Sequence, residues 1–241
     1  MISDNSYVIE ICLRSEAIFG SGEKERNLVQ SKALTDAEGF VYFHAKSLKG
    51  QLKRQAIWLQ QQYDSFDREQ GVAFQGSIAA LFGLNSWELD ESIAEPYKKV
   101  LREHGIMKFS HLELPASVRE YFRAMLAEDR ANGYIQLSQH DLIEAQTHIR
   151  TGIQCGKDKM LTTFHTVKKG LIFYSTLTFD EDPAVHLPAL TRIVYSLNRI
   201  GANIHRGRGE VSARLLVNGV ETKGNIGLEG GGVSRAILSG Y

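Results

Sequence analysis

Strand-like and helical stretches follow one another along these 241 residues in the order β, long loop, β, α, β, β, α, β. That order predicts an α+β fold of the ferredoxin-like type, interrupted by inserted helices and a protruding arm. Three observations carry the prediction. Leu171, Phe173, Leu177 and Phe179 keep the period of two that puts apolar side chains on one side of a strand. Leu48, Leu52, Ala56 and Leu59, and later Leu190, Ile193, Val194, Leu197 and Ile200, keep helical spacing instead. No internal repeat points to a solenoid, so residues 1–241 read as a single domain.

Tyr7 to Arg14 reads as the first strand, with Val8, Ile9, Ile11, Cys12 and Leu13 around Glu10. Ser15 to Gly39 is polar and holds Gly20, Gly22 and Gly39, which predicts a long loop, and connections of that length tend to be functional. Phe40 to Ala45 reads as a second short strand. The helix after it presents Lys49 and Lys53 four residues apart, with Arg54 beside them, and Ser47 stands where an N-cap is expected. Free N–H groups at such a helix start attract anions. Gly50 in the first turn costs about 1 kcal/mol relative to alanine, which a close approach by a ligand or partner explains. A solvated basic face on a core helix accounts equally for these residues taken alone.

Tyr63 to Gly76 reads as a polar connection and Ser77 to Leu84 as a short apolar helix. An insertion at about 85–104 is helical in character but broken by Pro96. Ile106 to Leu114 is a strand stopped by Pro115. Ala116 to Arg130 is an amphipathic helix with Val118, Tyr121, Phe122, Met125 and Leu126 on one side, stopped at Asn132-Gly133. Between Tyr134 and Lys159 periodicity is lost and Gln139, His140, Gln146, His148 and Arg150 accumulate, which predicts an extended hairpin or arm. Met160 to Val167, the turn Lys168-Lys169-Gly170 and Leu171 to Phe179 follow as strand, turn and strand. After the second core helix comes the strand Glu210 to Val217, and the glycine-rich tail 224–241 is expected to be mobile.

The stretch Leu197-Asn198-Arg199-Ile200-Gly201-Ala202-Asn203-Ile204-His205-Arg206-Gly207-Arg208-Gly209-Glu210-Val211 links that helix to that strand. Gly207 and Gly209 permit positive φ and close approach, and backbone N–H groups beside His205, Arg206 and Arg208 suit a row of phosphates. A tight turn with solvated arginines is the plainer account of the same residues.

Composition bounds the rest. With 43% hydrophobic and 23% charged residues the chain has the make-up of a soluble globular protein. No apolar run approaches transmembrane length and the first six residues are polar, so neither a membrane span nor a signal peptide is expected. Cys12 and Cys155 make no disulfide framework and no zinc set, which fits a reducing cytoplasm. The formal net charge is zero, so nucleic-acid binding would rest on a local concentration of Lys and Arg.

A Ser47-Leu48-Lys49-Gly50 turn into the first core helix, joined to an Arg206-Gly207-Arg208-Gly209 loop after the last, resembles the RAMP superfamily of CRISPR-associated proteins. Ala80-Leu81-Phe82-Gly83, Gly105-Ile106-Met107-Lys108-Phe109-Ser110, Arg150-Thr151-Gly152-Ile153 and Lys169-Gly170-Leu171-Ile172-Phe173 match in the expected order, so the resemblance spans roughly residues 7–217. The helix start is most like the backbone subunits of type III effector complexes and relatives such as type VII. The resemblance implies a modified ferredoxin-like (RRM-like) fold, stacked as copies of itself along a guide RNA. Its other partners would be target RNA and further effector subunits, with no cofactor, metal or membrane. It implies guide-phosphate contacts from Ser47, Lys49 and Arg54, with Gly207 and Arg206 or Arg208 in the loop and His148 and Arg150 in the arm; Lys53 and His205 stand beside these as further expected RNA contacts.

One departure bears on activity. Counting back from Ser47 to the place where the family's cleaving subunits carry an aspartate reaches Val29, and valine supplies no ionisable group. Asp36 is the nearest acid downstream. A subunit that binds without cutting its target is therefore expected, with no catalytic residue of its own. Two alternatives remain: a metal-independent guide-processing endoribonuclease using His44, His148 or His205, and a cap subunit that grips the guide's 5′ handle.

Overall fold

Ile9 and Ile11 in β1 (Tyr7–Leu13) are fully buried at the centre of a five-stranded antiparallel sheet. The computed structural model describes residues 5–22, 31–83, 104–133, 137–153 and 161–222. After β1 come α1 (Ala45–Phe66), α2 (Arg68–Phe82), β2 (Met107–Phe109), α3 (Ala116–Asn132), α4 (Gln139–Gln146), β3 (Thr147–Ile153) and β4 (Leu161–Val167). The chain continues through β5 (Ile172–Phe179), α5 (Leu187–Ser196), β6 (Val211–Val217) and β7 (Val220–Glu221). The main sheet is ordered β2-β5-β1-β6-β7, and β3 pairs with β4 in a second sheet. The series β1, α1, β2, β5, α5, β6 with that strand order is the ferredoxin-like arrangement.

Strand alternation decides which side of the sheet is dry. Ile9 and Ile11 stand in register with Phe173 of β5 and with Ala213 and Leu215 of β6. These side chains join a core with Leu48, Leu52 and Ala56 of α1 and Leu190, Ile193 and Val194 of α5. Each large aliphatic residue so buried stabilises the fold by roughly 1.5–3 kcal/mol, which makes this helix layer the chief source of stability. The other face carries Glu10, buried with 8% exposure, which needs partners to stay charged there. The Tyr174 hydroxyl donates to it at 3.1 Å and Arg214 Nε at 2.6 Å.

Parts of the long first loop, and the stretch that follows it, belong to the core. Phe19, Ala33, Phe40, Val41 and Phe43 are buried, and the Phe19 ring lies 4.7 Å from Phe43 and 5.6 Å from Phe173. The expected strand Phe40 to Ala45 is reduced to single bridges, Thr35 with Val41 and Phe43 with Leu112, because Ala45 already opens α1. The expected polar connection Tyr63 to Gly76 is helical. Asp67 explains this: its N–H closes α1 on the Tyr63 carbonyl at 2.7 Å, while its carboxylate accepts the Glu69 and Gln70 N–H groups and starts α2. Gly71 permits the tight turn, since a Cβ there would lie 2.0 Å from Asp64 Oδ1.

The polar stretch expected as an arm begins with a helix. Ser138 and Asp141 form a capping box at the start of α4, and Gln146 at its end is buried, bonding to Val41 N and Gly39 O. The hairpin is β3 with β4, so the strand expected at Met160 to Val167 pairs backwards with β3 instead of forwards with β5. The expected insertion at 85–104 (His104 apart), Val29 and the tail 224–241 lie outside the described residues.

Candidate nucleic-acid interface

Helix α1 begins before Ser47, and a histidine caps it. His44 Nδ1 accepts the Lys46 N–H at 3.2 Å, and His111 Nδ1 accepts the Ala45 N–H at 3.1 Å. Two of the N–H groups that a helix start leaves open are therefore taken by imidazole nitrogens. Ser47 is not the cap; it sits exposed in the first turn beside exposed Lys46. Lys49 and Lys53 are partly buried on the following turns and Arg54 is exposed. Burial pushes the Lys49 pKa below the ordinary lysine value, and the Lys53 charge beside it pushes the same way. An anion placed against this pair would relieve both effects. A Cβ built on Gly50 meets nothing within 4 Å, so nothing described in the chain requires glycine there.

The loop after α5 is fastened at both ends. Ile200 N–H donates to Gly209 O at 2.8 Å, Gly209 N–H to Glu16 O at 2.8 Å, and Ala202 N–H to Ile18 O at 3.0 Å. Gly209 serves that closure, not a ligand: its φ is +71° and a Cβ would lie 1.9 Å from Ile200 O. Between the fastenings, Asn203 takes φ 55°, a short 3-10 turn covers Ile204–Arg206, and Gly207 takes φ 75° with open space beside it. His205, Arg206 and Gly207 are exposed on this tip. Arg208 turns inward, its guanidinium 4.8 Å from the Phe164 ring centre.

One pair of hydrogen bonds unites the two segments. Gln51 Nε2 donates to Gly201 O at 3.1 Å, and Gly201 N–H donates to Gln51 Oε1 at 3.3 Å. The basic start of α1 and the Arg/Gly loop thus lie side by side.

His148 and Arg150 belong to a different group. They alternate along β3 and so share a face, and Glu16 lies against it. Glu16 Oε1 is 3.0 Å from His148 Nδ1, and Arg150 donates through Nε to Oε2 at 3.0 Å and through Nη2 to Oε1. Thr166 Oγ1 adds a bond at 3.1 Å, and Arg208 Nη1 stands 3.8 Å from Oε2. The Arg150 bonds, then those of His148 and Thr166, outweigh burial and hold the Glu16 pKa at about 2. Glu16 was absent from the sequence reading. Asp36, the nearest acid downstream of Val29, is engaged in its own turn, its Oδ1 accepting the Glu38 and Phe40 N–H groups at 2.9 Å.

This fold is shared with chains of CRISPR effector complexes. A chain of the type III-B Cmr-beta complex in its apo state matches with a TM-score of 0.53 and 15% identity, covering 88% of this chain and 97% of the other. A chain of the same complex bound to cognate target RNA matches at 0.52 and 13%, covering 89% and 98%. A chain of a type IV-B CRISPR complex matches at 0.50 and 10%, covering 96% and 95%. No protein-family model and no curated protein matches the sequence. At these identities the likeness establishes the fold.

Proposed function

We propose that this chain is a guide-RNA-binding backbone subunit of a CRISPR RNA-targeting effector complex, one that holds RNA without cutting the target. The carrying observation is the Gln51–Gly201 pair, which lays a basic helix face alongside an Arg/Gly loop. Lys49, Lys53 and Arg54, with Ser47, meet guide phosphates from one side. His205, Arg206 and the open backbone at Gly207 meet them from the other. Affinity comes from charge neutralisation and counterion release, while guide–target pairing reads the sequence. The near-complete overlap with chains of type III-B complexes, one of them described as bound to cognate target RNA, supports this reading. Copies of the chain stacked along one guide, beside other effector subunits, are the assembly it implies.

The test is binding of labelled single-stranded RNA over a salt series, without metal, for the wild type and for Lys49→Ala with Arg54→Ala. The reading expects a shifted, uncleaved RNA, and a double variant that binds more weakly with a log–log salt slope smaller by about two. Binding by the double variant equal to wild type at every salt concentration would reject these roles, and discrete cleavage would favour a guide-processing ribonuclease.

A further inference from the structure

Glu16 ties together three parts of the molecule that are remote in sequence. Its backbone carbonyl accepts Gly209 N–H of the Arg/Gly loop at 2.8 Å, and its carboxylate gathers Arg150 and His148 from β3 and Thr166 from β4. We infer that Glu16 is the positioning residue of a second phosphate site, at the foot of the β3–β4 hairpin, where Arg150 and His148 take a backbone phosphate of an RNA strand with the Arg208 charge beneath them. The inference rests on the function proposed above.

The layering of the cluster points outward. The side chains of His148 and Arg150 are each 45% exposed, whereas Glu16 beneath them is 24% exposed. Arg150 spends Nε and Nη2 on Glu16, and Nη2 also lies 3.2 Å from His148 Nδ1, so the planar fork leaves its Nη1 donors on the free edge. His148 turns Nδ1 to Glu16, which leaves Nε2 on the far side of the ring, where it donates to a phosphate in the imidazolium form. A guanidinium held flat by a carboxylate presents its remaining Nη1 donors to an anion in a fixed direction. Charge favours an anion as well: Arg150 and Arg208 bring two permanent positive charges against one carboxylate, whose oxygens are already shared among Arg150, His148 and Thr166. Arg208 Nη1 is buried 3.8 Å from Glu16 Oε2, so its charge acts on the cluster from beneath and not as an exposed donor. The occupant fits a polynucleotide because the cluster is continuous, through Arg208 and Gly209, with the loop that Gln51 fastens to the basic helix.

The experiment compares RNA retention across a salt series for wild type, Glu16→Gln, Arg150→Ala and the two combined, with Lys49→Ala/Arg54→Ala alongside. Glu16→Gln and Arg150→Ala are each expected to weaken binding roughly tenfold and to lower the salt slope by about one, and the combination to bind no worse than Arg150→Ala alone, as for residues acting through one contact. Glu16→Gln binding as tightly as wild type, or more tightly, would overturn the inference and mark Glu16 as a repulsive charge. Losses that multiply in the combination would overturn it too. If circular dichroism shows Glu16→Gln unfolded, Glu16→Asp replaces it: the charge stays but the reach shortens, so weaker binding with a lower slope is expected and unchanged binding overturns the inference. Loss of binding in Lys49→Ala/Arg54→Ala with none in the Glu16 variants sinks this inference alone, whereas a wild type that retains no RNA sinks it together with the proposed function.

Discussion

Gln51 and Gly201, 150 residues apart, bond to each other twice, amide to backbone in both directions. The pair does what neither segment does alone. α1 buries Leu48 and Leu52 whatever the loop does, and the loop closes on its own Ile200–Gly209 bond. The Gln51 side chain fastens one to the other. Gly201 must be glycine to accept this: its φ is +88°, and a Cβ would stand 2.6 Å from Ile18 O.

Replacing Gln51 with alanine therefore has two consequences. Two hydrogen bonds are lost at about 0.5–1.5 kcal/mol each, and urea unfolding should report a destabilisation of that order. RNA affinity should also fall, and the salt slope with it, because a loop out of line with the helix no longer brings its cations to the phosphates. Affinity and slope both unchanged would mean that the loop binds independently of its alignment.

The glycines divide by role. Gly50→Ala should raise stability by up to about 1 kcal/mol, since helix propensity improves and the added methyl meets nothing in the chain. The same methyl should weaken RNA binding if a strand lies close against the turn. Gly209→Ala should destabilise by more than the roughly 1–2 kcal/mol of a left-handed alanine, because its Cβ also strikes Ile200 O. Thermal unfolding ranks the two, and a stabilised Gly209→Ala would contradict the closure assigned to that residue.

Much of this was legible in the residues. The period of two marked β5, a β-favouring apolar run marked β1, helical spacing marked α1 and α5, an amphipathic pattern marked α3, and the two basic, glycine-bearing stretches lie side by side. Other features were hidden for physical reasons. Asp67 and Gly71 look like loop residues, yet one caps α2 and the other makes room for Asp64. Asn218-Gly219 carried a hairpin signal in plain view, and both residues take positive φ where β6 turns into β7. Glu16 could not be found by spacing, because its partners come from β3, β4 and the Arg/Gly loop and meet only after folding. His44 was hidden because caps are sought among Ser, Thr, Asp and Asn, which drew the cap to Ser47.

Acid stability should carry the mark of Glu16. Its pKa falls from 4.5 to about 2 on folding, so the folded state favours its ionised form. The stability it contributes is complete above about pH 4.5 and is lost as the pH falls toward about 2. Glu16→Gln should remove that part of the pH dependence. Denaturant midpoints measured through this range check it, and identical pH profiles for the two proteins would speak against the ion pairs.

The cap on α1 makes a smaller claim. His44→Ala removes the acceptor for Lys46 N–H and should cost about 1 kcal/mol, whereas His44→Asn should keep most of the stability. Chemical denaturation of the two variants separates a capping role from simple loss of ring packing, in which case both would fall alike.

The most direct measurement is photo-crosslinking with a light-activated residue introduced at exposed Ser47 in one protein and at exposed His205 in another. After irradiation with guide-length RNA, the attached nucleotides are mapped by sequencing. The account predicts that both positions crosslink efficiently, and to neighbouring nucleotides of one strand. Crosslinks from only one position, or from the two positions to unrelated parts of the RNA, would contradict a shared groove.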